Sequence, residues 1–218
     1  MIRLRISYKK LAALQYTGIL DMQKVWERTF RRAQLPLAYS QGFHPQPRLQ
    51  LACPLPLGFL SLVEVLDVWL EVEAPLPEHE HHLQATLPPG LEITAIESIP
   101  LNAPTFQSQV VFTIYDVALL DAIDAAALHK SVSDLLNSPS LMRIRRSKSY
   151  DLKPLIGSIE LHPSAGDQPA RLVMRLAAQE GRTGRPDEVL LQLGIDPSAA
   201  IITRTGWMLA ESSVPDER

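Results

Sequence analysis

Cysteine is all but absent: Cys53 is the one thiol in 218 residues. An intramolecular disulfide is therefore excluded, as is a self-contained zinc ribbon or iron–sulfur site, each of which needs several thiolates. Any redox chemistry would belong to a partner. Aromatic residues make up only 6% of the chain and no ribonucleoprotein-type aromatic motif occurs, which argues against a base-stacking sheet. No apolar run reaches membrane-spanning length, and MIRLRISYKK carries charge without a following signal-peptide core, so a cytoplasmic protein is expected. The sequence has no P-loop, no dinucleotide fingerprint and no Gly-x-Ser-x-Gly elbow. One sign of charge is missing from a whole stretch: residues 51–100 hold eight acids and no Lys or Arg, while residues 1–50 hold nine Lys/Arg against Asp21 and Glu27. Such segregation supplies a local field that a polyanion could feel despite a net charge of −3. Mutual neutralisation of the two segments across one domain is the alternative.

What is present reads as an α+β protein. IRLRISY (2–8) alternates with period two and puts Arg3 and Arg5 on one strand face. From Gly18 to Gln34, apolar residues recur at helical steps while Lys24, Arg28, Arg31 and Arg32 gather opposite, and Pro36 ends the helix. A Pro-rich stretch follows, with an ordered loop expected at 39–47 and a short strand near 48–53. Strand 63–73, helix 77–87 and strand 91–99 complete a βαββαβ order. The order recurs after a linker at 102–105: strand 107–115, helix 117–137, strand near 141–149, a Gly/Pro-rich insertion at 162–169, strand 170–178, helix 186–193 and strand 200–209. Two tandem ferredoxin-like sandwiches fit best, at 1–101 and 105–212 with a tail at 213–218; a single larger α+β sheet is the alternative.

In PLAYSQGFHPQPR, Pro45 restricts His44 to extended geometry and Gly42 can adopt a positive φ, so the loop reads as rigid. Tyr39, Ser40, Gln41, His44 and Arg48 offer donors and acceptors beside the cationic helix, a composition suited to phosphate or RNA. Alternatively Tyr39 and Phe43 are core plugs of a stapled connection. Glu64 and Asp67, three apart on a strand, face opposite ways; one of them is expected to anchor Arg48 or a helix arginine. Asp21 and Gly42 are further candidates for holding the loop. A second cationic group, Arg143, Arg145, Arg146, Lys148 and Lys153 with Arg182 and Arg185, could extend a basic track, or simply protect a solvated edge. In His79-Glu80-His81-His82 only His79 and His82 share a helix face, and no third ligand is evident, so no metal site is assigned.

The run Leu35–Pro45, then Pro47-Arg48, Pro54-Leu55-Pro56-Leu57-Gly58, Glu64 and Asp67 resembles the signature of the bacterial radical-SAM-linked protein family, whose function is unknown. Tyr150–Ile156 and Arg185–Leu190 resemble its later blocks. Members are encoded beside, or fused to, radical SAM enzymes with a cobalamin-binding-type region. The resemblance therefore implies a radical SAM enzyme as partner, with S-adenosylmethionine and an iron–sulfur cluster held by that partner and no cofactor in this chain. The family tends to have Ser-His-Leu-Asp where this chain has Gly18-Ile19-Leu20-Asp21, and no catalysis is assigned there.

The leading expectation is a non-catalytic accessory protein that presents RNA or an RNA-associated substrate. Its contacts would come from Arg28, Arg31, Arg32, Tyr39, Ser40, Gln41, His44 and Arg48, with Arg143, Arg145, Lys153 and Arg185. One alternative is a metal-independent endoribonuclease resembling tandem-ferredoxin CRISPR RNA-processing enzymes, with His44 as acid or base aided by Tyr39. The other is a protein–protein interaction module without RNA.

Overall fold

The computed structural model describes residues 1–71, 76–145, 147–166 and 168–210, and the side chains of 76–79 lie outside that description. The chain divides into two compact units, residues 1–107 and 108–218. Both are mixed α+β.

Unit 1 runs β1 (Ile2–Lys10), α1 (Ile19–Arg32), β2 (Leu49–Leu51), β3 (Leu60–Leu70), α2 (Leu76–Thr86), β4 (Leu91–Ile99) and the start of α3 (Phe106–Gln109). Its antiparallel pairings place the strands in the order β2-β3-β1-β4. Period two divides the sheet cleanly. Leu4, Ile6 and Tyr8 of β1 and Leu66, Val68 and Leu70 of β3 point into a core completed by Met22, Trp26 and Phe30 of α1 and Leu83 of α2. Tyr8 meets Trp26 edge-on at 4.9 Å between ring centroids, a geometry favoured by the aromatic quadrupole. Arg3, Arg5, Asp67 and Trp69 occupy the opposite face.

Unit 2 runs β5 (Val110–Leu119), α4 (Ala125–Asn137), β6 (Met142–Arg145), β7 (Lys148–Asp151), β8 (Ile156–His162), β9 (Arg171–Gln179), β10 (Arg182–Thr183), α5 (Pro186–Gln192) and β11 (Ala200–Leu209). The main strand order is β8-β9-β5-β11, so both units place their four main strands second, third, first, fourth by chain position. One expectation is corrected here. The segment 141–149 is not a strand of the main sheet: β6 and β7 form a separate two-stranded hairpin. The sheet strand is β8, which ends at His162, inside the span expected as an insertion, and pairs with β9. The reason is electrostatic: alternation in MRIR is genuine, but its charged positions turn toward Glu188 of α5.

The linker is not free. Arg3 Nη1 donates to the Ala103 carbonyl at 2.6 Å, and Arg5 Nη2 donates to the Pro104 carbonyl at 3.2 Å, so 101–104 is strapped to the unit 1 sheet. Residues 213–218, expected as a tail, lie outside the described residues.

Candidate functional site

The Pro-rich stretch forms a hairpin tied to the sheet at its base. Ala38 N–H donates to the Trp69 carbonyl at 2.8 Å, Arg48 N–H to the Ala38 carbonyl at 2.8 Å, and Trp69 N–H to the Arg48 carbonyl at 3.1 Å. Ser40 closes the upper stem: its N–H donates to the Gln46 carbonyl, and its hydroxyl accepts from Gln46 N–H at 3.0 Å. Leu35, Leu37 and Ala38 are buried at the base. Above the Ser40–Gln46 closure the tip Gln41-Gly42-Phe43-His44-Pro45 is exposed throughout. Gly42 sits at φ +129°, a region that side-chain-bearing residues rarely enter, and thereby sets the turn. Phe43 is 102% exposed, so its ring touches nothing, and the core-plug alternative fails for it.

The cations do not converge. Arg31 reaches the hairpin: its Nη2 donates to Tyr39 Oη at 3.2 Å and pairs with Glu27 at 2.7 Å, and the Tyr39 bond, ahead of Glu27, raises its pKa. Together Arg31, Tyr39, Gln34, Leu35, Pro36 and Leu37 line an open groove of about 380 Å³. Arg32 points elsewhere, donating to the Thr86 carbonyl at the end of α2 at 2.8 Å. Arg28 is exposed on α1. Arg48 lies on the other sheet face. It and Arg3 each stand 4.7 Å from the Trp69 ring, because both are register neighbours of that position.

The anchoring roles are also reassigned. Asp67 holds neither Arg48 nor a helix arginine. It accepts from Arg3 Nη2 at 2.6 Å and from Arg5 Nε at 2.8 Å, being Arg5's direct partner across β1 and β3. Arg48 falls opposite Trp69 and stacks there instead. Glu64 is buried on the helix-facing side, at a water-sized cavity of about 10 Å³ shared with Tyr8 and Lys10, and Lys10 Nζ donates to the Gln15 and Thr17 carbonyls at 3.2 Å. Asp21 lies in the first turn of α1 beside Lys24 at 3.8 Å, where a carboxylate complements the helix dipole, and it does not touch the hairpin.

In unit 2 the expected basic track is compensated internally only in part. Arg143 and Arg145 share Glu188, at 3.1 and 3.8 Å. Arg185 pairs with Asp187 at 2.6 Å, and the Lys153 ammonium donates to the Leu136 carbonyl at the end of α4. Tyr150 lies beside this cluster, its phenol pKa raised by burial first and then by Glu188. Arg146 and the side chain of His79 lie outside the described residues, and among the described residues no group of His, Cys, Asp or Glu gathers as metal ligands do. No helix among them is long and apolar enough to cross a membrane.

This site belongs to a mixed α+β protein whose most distinctive surface is a pinned hairpin with a bare aromatic tip. The chain is a member of the family described as "Uncharacterized protein conserved in bacteria (DUF2344)", whose model matches residues 3–186. No curated protein matches it. Among solved structures it is similar to the acetolactate synthase small subunit from Thermotoga maritima, with 12% identity, 96% of each chain covered and a TM-score of 0.27. It is also similar to a putative glycine cleavage system transcriptional repressor, with 10% identity, 96% of this chain and 98% of the other covered, and a TM-score of 0.25. At these identities and scores neither likeness bears on function.

Proposed function

We propose that this chain is a non-catalytic accessory protein, built of two ferredoxin-like units, that docks on a radical SAM enzyme through the 36–48 hairpin. The shared strand order of the two units supports the fold, and the family resemblance supports the choice of partner. One observation carries the docking: Phe43 stands fully exposed on a stem fixed by backbone hydrogen bonds to β3. An aromatic held in water on a preorganised support is the usual anchor of a protein interface, since little ordering entropy is left to lose on binding.

The RNA reading has weaker support. It needs the helix arginines and Arg48 on one surface, and these occupy opposite faces of the unit 1 sheet. For the endoribonuclease reading, His44 is exposed and no side chain among the described residues holds its imidazole in place.

The test is biolayer interferometry of the full chain against a purified radical SAM enzyme with a cobalamin-binding-type region. Binding is expected, with Phe43→Ser weakening it by about tenfold or more. Unchanged affinity of that variant, or binding to a structured RNA in place of the enzyme, overturns the proposal.

A further inference from the structure

The β6–β7 hairpin is amphipathic the wrong way round. Arg143 and Arg145 share one side of the ribbon with their register partners, the half-buried Tyr150 and the exposed Lys148, and Glu188 of α5 fastens that side. Met142 and Ile144 point the other way, 62% and 77% exposed. An isolated two-stranded ribbon is marginal in water. This one is held by Glu188 and by the buried Leu141 and Leu152 at its base, while the face of Met142 and Ile144, which Ser149 and Asp151 share, stays open. Among the described residues neither strand pairs with a further strand, which leaves each with an edge that no other strand takes up.

Charge decides what fits that edge. Over 142–153 and 185–188, the described residues hold five cations, Arg143, Arg145, Lys148, Lys153 and Arg185, against three carboxylates, Asp151, Asp187 and Glu188. A strand added to the hairpin continues both of its faces. Its side chains on one side would extend Met142 and Ile144, and those on the other would meet the surplus of positive charge. A second copy of the hairpin brings its own positive charge to that edge, which opposes self-pairing. We infer that the β6–β7 hairpin binds, by strand addition, an extended segment of another protein that alternates apolar and acidic residues. This surface is in unit 2, and the inference does not depend on the docking role given to unit 1.

Fluorescence anisotropy of the full chain with a short labelled peptide of alternating glutamate and valine tests it, with a lysine–valine peptide and a short single-stranded RNA as comparisons. The glutamate–valine peptide is expected to bind at least tenfold more tightly than the lysine–valine peptide, and Ile144→Asp and Met142→Asp are each expected to cost about tenfold. Both positions are exposed, so both variants fold, which circular dichroism checks. Absence of peptide binding, equal binding of the two peptides, or indifference to Ile144→Asp overturns the inference. So does RNA binding that competes with the peptide and is lost in the same variants.

Discussion

Replacing Asp67 with alanine is the sharpest perturbation of unit 1. The carboxylate and the Arg3 side chain are each 2% exposed, and Asp67 accepts three guanidinium hydrogen bonds: from Arg3 Nη2 at 2.6 Å, Arg5 Nε at 2.8 Å and Arg5 Nη2 at 2.9 Å. Arg5 is partly exposed and can turn toward water. Arg3 cannot, so the variant leaves a buried cation with only backbone carbonyls and the Trp69 ring for company. Stranding one partner of a buried pair costs about 3–5 kcal/mol. With a urea dependence of about 2 kcal/mol per molar, the unfolding midpoint should fall by roughly 1.5–2.5 M. Urea titration followed by tryptophan fluorescence reads this directly, since Trp69 lies in the cluster. Because Arg3 and Arg5 also grip the 101–104 carbonyls, chymotryptic cleavage near Leu101 and Phe106 should accelerate. Arg3→Met with Asp67→Leu should recover most of the loss, because an apolar pair of similar volume leaves no buried charge. A loss below about 1 kcal/mol for Asp67→Ala, or no gain from the double variant, would refute the reasoning.

Phe43→Ser should leave the urea midpoint nearly unchanged, within about 0.5 kcal/mol, because the ring buries nothing; a larger loss means it packs in solution. Gly42→Ala should destabilise by about 1–2 kcal/mol in the same assay, since nothing obstructs a Cβ there but φ is +129°. Glu188→Gln removes the charge shared by Arg143 and Arg145, and hydrogen exchange at 142–151 should quicken while amides of β5 and β9 hold their protection. Asp151 has a pKa lowered chiefly by the backbone N–H groups of Leu141 and Lys153. Its stabilising contribution is therefore complete above its unfolded value of about 3.9 and is lost as pH falls through the lower folded value. Acid titration of stability should accordingly be shallower over that window for Asp151→Asn than for the parent.

Local periodicity made the frame legible. The helical spacing of Met22, Trp26 and Phe30 marks the buried side of α1, the span 91–99 is β4 as read, and the period-two run 2–8 correctly puts Arg3 and Arg5 on one face. Partners across strands were not legible. Which of Arg3, Arg5 or Arg48 meets Asp67 depends on register between segments some sixty residues apart, and alternation within one strand carries no such information. The β6–β7 hairpin misled for a related reason: alternation identifies two faces but does not say which is inside, and Glu188 reverses the usual choice. Phe43 was read only as a possible core plug, because a lone aromatic between prolines carries no sign of which way it points. Gly42 carried the available signal, its backbone freedom being what a projecting turn needs.

In each unit the first main strand lies between the third and the fourth, so the sheet closes only when its last strand arrives. During synthesis the amino-terminal unit has all its strands once Ile99 has left the ribosome, and it can fold while the rest is still being made. The carboxy-terminal unit must wait for residues 200–209, because until then one flank of β5 is bare along nearly its whole length. A ribosome stalled before residues 200–209 emerge would therefore release a chain with one finished unit and one open, adhesive unit, a natural substrate for chaperones and proteases.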